Sequence, residues 1–124
     1  MTKQVTIWHN AKCSKSRATL ALLQERGHEL CIVPYLDDSP SVNEIKRVLD
    51  LLDFQPRALM RTKEAVYDEL GLADVHDDEV LIHAMAENPI LIERPIVICG
   101  DRAAIGRPPE NVLAVLESSS QREC

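Results

Sequence analysis

With 124 residues, 45% of them hydrophobic and 27% charged, the chain has the composition of one soluble globular domain, large enough to bury a core without disulfide staples. A formal charge of -6 argues against the basic face that nonspecific nucleic-acid binding needs. No stretch reaches the roughly 18 apolar residues of a membrane-spanning helix, and the apolar run in MTKQVTIW is too short for a secretory signal, so a cytoplasmic protein is expected.

In QVTIW (4–8), Val5 and Ile7 alternate with Thr6, the pattern of a short strand. HNAKCSKSR (9–17) then leads through a loop into SRATLALLQERG, a run of good helix formers that stops at Gly27. ELCIVPYL reads as a second strand, with Pro34 marking an edge position or the strand's end. Strand, helix and strand within about thirty residues make a βαβ unit with parallel strands. After the break at DDSP, Ser41 and Glu44 form a capping box, and Ile45, Val48, Leu49 and Leu52 fall on one helical stripe. RALMRTKEAVYDELGL and DDEVLIHAMAENP read as two further helices, the second with Leu81, Ala84 and Met85 on one face. RPIVICG, the turn Gly100-Asp101 and RAAIG form a hairpin. RPPENVLAVLE begins a last helix with Val112, Val115 and Leu116 on one face, before the polar tail SSSQREC. The order is α/β. Its two ends make the βαβ–ββα sheet of thioredoxin and glutaredoxin folds, in one domain (1–124) with an all-helical insert at about 40–90.

Charge divides along the same lines. Residues 37–93 hold 14 Asp or Glu against 5 Lys or Arg, whereas the remainder holds 6 against 9. Solvated helix faces account for most of these carboxylates.

The four cysteines, Cys13, Cys31, Cys99 and Cys124, are widely spaced without a C-x-x-C pair, which predicts free thiols and no zinc site. His76 and His83 lack further ligands at metal-binding spacing, so no metal is expected. Cys31 and Cys99 stand among aliphatic residues of predicted strands and are expected in the core. Cys124, the last residue, reads as a bystander, with a resolving thiol as the other reading.

Cys13 differs because it falls at the strand-to-helix turn. The free N–H groups and positive dipole end of a helix favour a thiolate, the form of cysteine that attacks. Lys12, Lys15 and Arg17 add nearby cations, and the Ser16 hydroxyl is within sequence reach of the sulfur. A small buried hydrophobe is the alternative, against which the polar neighbours argue. The same helix end suits an oxyanion, and the planar arginine fork grips one with paired hydrogen bonds. Arg61 lies between insert helices, Arg94 precedes Pro95 at the start of the third strand, and Arg107 precedes a proline after the fourth. Local sequence does not rank them, and a solvated or salt-bridged role is the default for each. In thioredoxin-like folds the proline in the place of Pro95 is commonly cis and faces the active-site cysteine, bringing Arg94 with it.

HN.KCSKSR, RALMR..E..Y.ELGL, NPILIERPIV and GRPPE.VL, in this order from Val5 to about Leu116, resemble the glutaredoxin-coupled arsenate reductases (ArsC-type), a family that includes the Spx-like branch. The resemblance implies that Cys13 is the nucleophile and that Arg61, Arg94 and Arg107 hold the oxyanion and stabilise the thiolate. His9 and Asn10 match the residues before the active-site loop, and Ser16 supports it. By the same resemblance the thiolate attacks arsenate, glutathione resolves the adduct, and glutaredoxin reduces the resulting mixed disulfide. Glutathione is then a co-substrate, and no bound cofactor, nucleic acid or membrane is involved. Ala11 replaces a proline frequent in the loop, Ser14-Lys15 replaces Gly-Thr, and the chain ends soon after the last helix, departures that indicate a side branch. Two other functions stay open: a non-catalytic Spx-like adaptor for a partner such as RNA polymerase, whose redox-responsive members carry a C-x-x-C that Ser16 breaks, and a general glutathione-dependent thiol oxidoreductase.

Overall fold

The computed structural model describes residues 4–115. The chain divides into two compact units, one formed by the residues up to Tyr35 with those from Arg94 onward, the other by Leu36–Glu93.

The first unit opens with β1 (Gln4–Trp8), α1 (Ser14–Glu25) and β2 (Glu29–Val33). β1 and β2 are parallel, with Val5 opposite Leu30 and Ile7 opposite Ile32. β3 (Ile96–Cys99) and β4 (Arg102–Ile105) form the expected hairpin, and Gly100 turns it with φ of 60°, a region that glycine enters without steric cost. β3 runs antiparallel to β1, giving the order β2-β1-β3-β4. This is the mixed four-stranded sheet of the thioredoxin-like arrangement.

Strand alternation places the core. Ile7, Val97 and Ala104 stand opposite one another across three strands and so share a face. Leu23 of α1 covers that face together with Val112 and Val115 of the C-terminal segment. Each fully buried aliphatic side chain contributes about 1.5–3 kcal/mol. Cys99 lies in this core, 1% exposed, but is held in a disulfide and is not the free thiol expected. Cys31 is not in the core. It stands opposite Thr6 on the face turned away from that cluster, in the outermost strand, and is exposed. RPPENVLAVLE starts as a 3-10 turn, Pro109–Val112, before helix at 113–115. Leu116, the tail and Cys124 lie outside the described residues.

The second unit is built from helices and one isolated bridge. α2 (Val42–Leu52) carries the predicted capping box: Ser41 Oγ accepts from the Glu44 N–H at 3.1 Å, and the Glu44 carboxylate accepts from the Ser41 N–H at 2.9 Å. RALMRTKEAVYDELGL is not one helix but three short pieces: a 3-10 turn at Pro56–Leu59, α3 (Ala65–Glu69) and a 3-10 turn at Leu72–Asp74. Arg57 ties them together. Its guanidinium donates to Tyr67 Oη, to the Leu72 carbonyl at 3.1 Å and to the Val75 carbonyl, and lies 5.9 Å from the Tyr67 ring centroid. One side chain thus satisfies two carbonyls where this stretch ends. α4 (Asp78–Glu87) is capped by Asp77 and buries Leu81, Ile82, Ala84 and Met85. Residues 59–61 pair with 91–93 through Arg61 N–H to the Leu91 carbonyl and Glu93 N–H to the Leu59 carbonyl, each 2.7 Å.

Candidate active site

The loop after β1 is closed by its own polar groups. His9 N–H donates to the Val33 carbonyl at 2.8 Å, which anchors the loop to the end of β2. Asn10 then makes the turn: its carbonyl accepts from Cys13 N–H and its Oδ1 from Lys12 N–H, both at 3.0 Å. Arg17 Nη1 donates to the Ala11 carbonyl at 2.8 Å, so this cation braces the loop.

Ser16 is fully buried beneath the turn. Its Oγ accepts from Asn10 N–H at 3.0 Å and lies 2.6 Å from His9 Nδ1. Burial, and then the positive charge of Arg17, hold His9 below its usual pKa of 6.5, so the ring is neutral at neutral pH. The network therefore assigns the serine O–H as donor to Nδ1 and the ring proton to Nε2. Ser16 is committed to His9 and Asn10, not to the sulfur as its sequence position suggested. The lowered pKa also carries a sign. As the pH falls below 6.5 the unfolded chain takes up a proton that the folded ring resists, so stability is lost on acidification from there towards the folded value. His9→Gln is expected to flatten that part of the pH–stability profile, measured by urea unfolding between neutral and mildly acidic pH. A profile parallel to wild type would contradict the assignment.

Cys13 is the N-cap residue of α1, with φ of -97° and ψ of 123°, and is 9% exposed. Its sulfur thus sits at the positive end of a 12-residue helix. Arg107 Nη2 donates to Sγ at 3.7 Å. The rest of that residue is fixed as well: Nε donates to the Arg94 carbonyl at 2.7 Å, and the main-chain carbonyl of Arg107 accepts from Asn111 Nδ2 at 3.0 Å. Both arginines precede cis prolines, Pro95 as expected and Pro108 in addition. Arg94 turns its side chain inward, with Nε and Nη1 buried. Lys12 and Lys15 are exposed. His9, Asn10, Cys13, Ser16, Arg94 and Arg107 all belong to the first unit, whereas Arg61 belongs to the second. There its guanidinium lies 3.4 Å from the Glu64 carboxylate. Among the described residues no group of three or more His, Cys, Asp or Glu is placed to hold a metal ion, and no helix is long and apolar enough to cross a membrane.

Sequence inspection passed over Thr19, Gly106 and Asn111. Ser16, Thr19 and Leu23 recur at i, i+3 and i+7 and form the buried face of α1, a periodic signal half hidden by two hydroxyls. Gly106 donates its N–H to the Pro95 carbonyl at 2.9 Å, and a Cβ there would come 2.5 Å from Thr19 Oγ1 and 2.8 Å from Pro95 Cγ. The proline ring cannot turn aside, and Thr19 Oγ1 is held by the Lys15 carbonyl at 2.8 Å. Gly106→Ala is expected to destabilise by about 1–3 kcal/mol in urea unfolding, with part recovered by adding Thr19→Ala. Unchanged stability would show that this approach is not rigid.

A thiol at a helix N-terminus with a guanidinium against it is an arrangement able to supply a nucleophile and to grip an anion. The ArsC family model matches residues 8–115, from the end of β1 to the C-terminal segment. The chain belongs to the ArsC family. An arsenate reductase of Neisseria meningitidis serogroup A is 46% identical over 115 residues, which span 91% of this chain and 98% of that one. The uncharacterized protein YfgD of Escherichia coli K12 is 50% identical over 118 residues, spanning 94% and 99%. Among solved structures, the arsenate reductase from Vibrio cholerae superposes with a TM-score of 0.90 at 51% identity, over 93% of this chain and 99% of that one. The ArsC match takes in the Cys13 loop, both cis-proline corners and the insert.

Proposed function

We propose that this ArsC-family chain is an arsenate reductase that works through Cys13 and draws its electrons from glutathione and glutaredoxin. The observation that carries this reading is Arg107 Nη2 held 3.7 Å from Cys13 Sγ at the start of α1. Relatives named arsenate reductases supply the substrate.

In the proposed cycle the Cys13 thiolate attacks arsenic(V), forming an S–As bond as one arsenate oxygen leaves as water. Arg107 and Arg94, both of the first unit, hold the arsenate oxygens. Glutathione thiolate next attacks the Cys13 sulfur. The S–As bond breaks, its electron pair stays on arsenic, and arsenic(III) departs as arsenite. The Cys13–glutathione disulfide left behind is reduced through glutaredoxin, giving oxidised glutathione. Two glutathione molecules thus supply the two electrons that arsenic gains. Ser16 stands where an internal resolving cysteine would be, which leaves that task to glutathione. A glutathione-fed cycle of this kind belongs in the cytoplasm.

With glutathione, glutaredoxin, glutathione reductase and NADPH present, the protein is expected to oxidise NADPH only when arsenate is added. If folded protein gives no arsenate-dependent oxidation while a glutaredoxin control remains active, the reading fails.

A further inference from the structure

The acidic part of the chain takes no role in that chemistry. From Glu64 to Glu93 there are nine Asp or Glu residues and no Lys or Arg. Within the same stretch lies a shallow apolar groove of about 550 Å³, floored by Leu70, Leu72, Val80 and Ala84 and flanked by Glu79 and Glu87. Leu70 is 50% and Val80 46% exposed, and both line the one concavity. Single exposed aliphatics are ordinary, but two of them lining one concavity together with carboxylates offer a seat for an apolar side chain with a cation beside it.

Electrostatics select the occupant. Glu79 is met by Lys46 at 2.8 Å, with His83 3.9 Å away. Glu87 has no ion pair among the described residues and ends α4, where the helix's last carbonyls add negative partial charge. Nucleic acid and anionic lipid are repelled by such a rim, and a second copy docked groove to groove would bring the same acidic rim against it. We propose that this groove docks a basic amphipathic helix of a protein partner, its aliphatic side chains on Leu70, Val80 and Ala84 and its Lys or Arg side chains against Glu79 and Glu87. Aliphatic anchors at i, i+3, i+4 and i+7 match a helix lying in a groove, and this volume is within the usual range of a ligand cleft.

The probe is a fluorescently labelled synthetic helix of leucine and lysine with leucines at those positions. Saturable binding to the full chain is expected by anisotropy, weakened roughly tenfold or more by Leu70→Ser with Val80→Ser and, separately, by Glu87→Lys. The same peptide with serine in place of leucine is expected to bind roughly tenfold more weakly. Amide shifts in a titration followed by NMR are expected at 70–72 and 79–88. Cys13→Ser should bind as wild type, which separates the groove from the reductase activity. Asp37→Lys with Asp38→Lys, exposed acids that do not line the groove, should also bind as wild type. The proposal is overturned if the leucine peptide does not bind, if the serine peptide binds equally well, if the Asp37 and Asp38 changes weaken binding as much as Glu87→Lys, or if the shifts fall elsewhere.

Discussion

Cys13→Ser is expected to fold as wild type and to lose arsenate-dependent NADPH oxidation by roughly a thousandfold or more. Serine preserves the shape of a side chain that is 9% exposed and makes no capping hydrogen bond, so little stability is at stake. The chemistry is lost because a hydroxyl does not ionise near neutral pH and cannot form the disulfide through which glutathione delivers its electrons. Cys31→Ser provides the internal comparison: an exposed thiol on the outermost strand, whose loss should leave turnover intact. Full activity in Cys13→Ser would place the nucleophile elsewhere and end the proposed cycle.

Arg107→Ala is expected to lower kcat/KM for arsenate about ten- to hundredfold, the loss of charge-assisted contacts of about 1.5–3 kcal/mol. Its fork holds the Arg94 carbonyl with Nε and the Cys13 sulfur with Nη2. A lysine ammonium is a point charge on a flexible stem and does not reproduce both at once. Arg107→Lys should therefore recover only part of the activity. Inhibition by phosphate or sulfate should weaken in parallel, because the same fork would bind them. Arg102→Ala, at an exposed position in the hairpin, is the control expected to leave kcat/KM unchanged. If Arg107→Ala matches wild type in both turnover and anion inhibition, the guanidinium does not serve the anion.

What the chain disclosed from sequence depended on how far apart the interacting residues are. β1, the Ser41–Glu44 capping box and the turn at Gly100 are short-range features, written in alternation, spacing and a single permissive residue. The stretch from Arg57 to Leu72 reads as one helix because its organiser acts at range: hydrogen bonds from Arg57 span 10, 15 and 18 residues, beyond any helical period. Cys31 illustrates a different blindness. Its aliphatic neighbours identify a strand, but only the pairing order makes that strand an edge and turns Cys31 away from the core.

The site divides in the same way. Cys13 at a strand-to-helix turn is a local feature, whereas the arginine at its sulfur is 94 residues away, and no local pattern ranks Arg107 above Arg61. The bond between His9 and Ser16 needs the Asn10 turn to fold the loop back over α1. Gly106 is required only because Thr19 and Pro95 close upon it.

The most direct test of the central claim is a trapped intermediate. Reduced protein incubated with arsenate and glutathione, without glutaredoxin, can be digested and mapped by mass spectrometry. The account predicts one glutathione on Cys13, formed only when arsenate is present, absent from Cys31, and removed when glutaredoxin is added. Glutathione on another cysteine, a Cys13 adduct that forms equally well without arsenate, or no adduct on folded protein would contradict it.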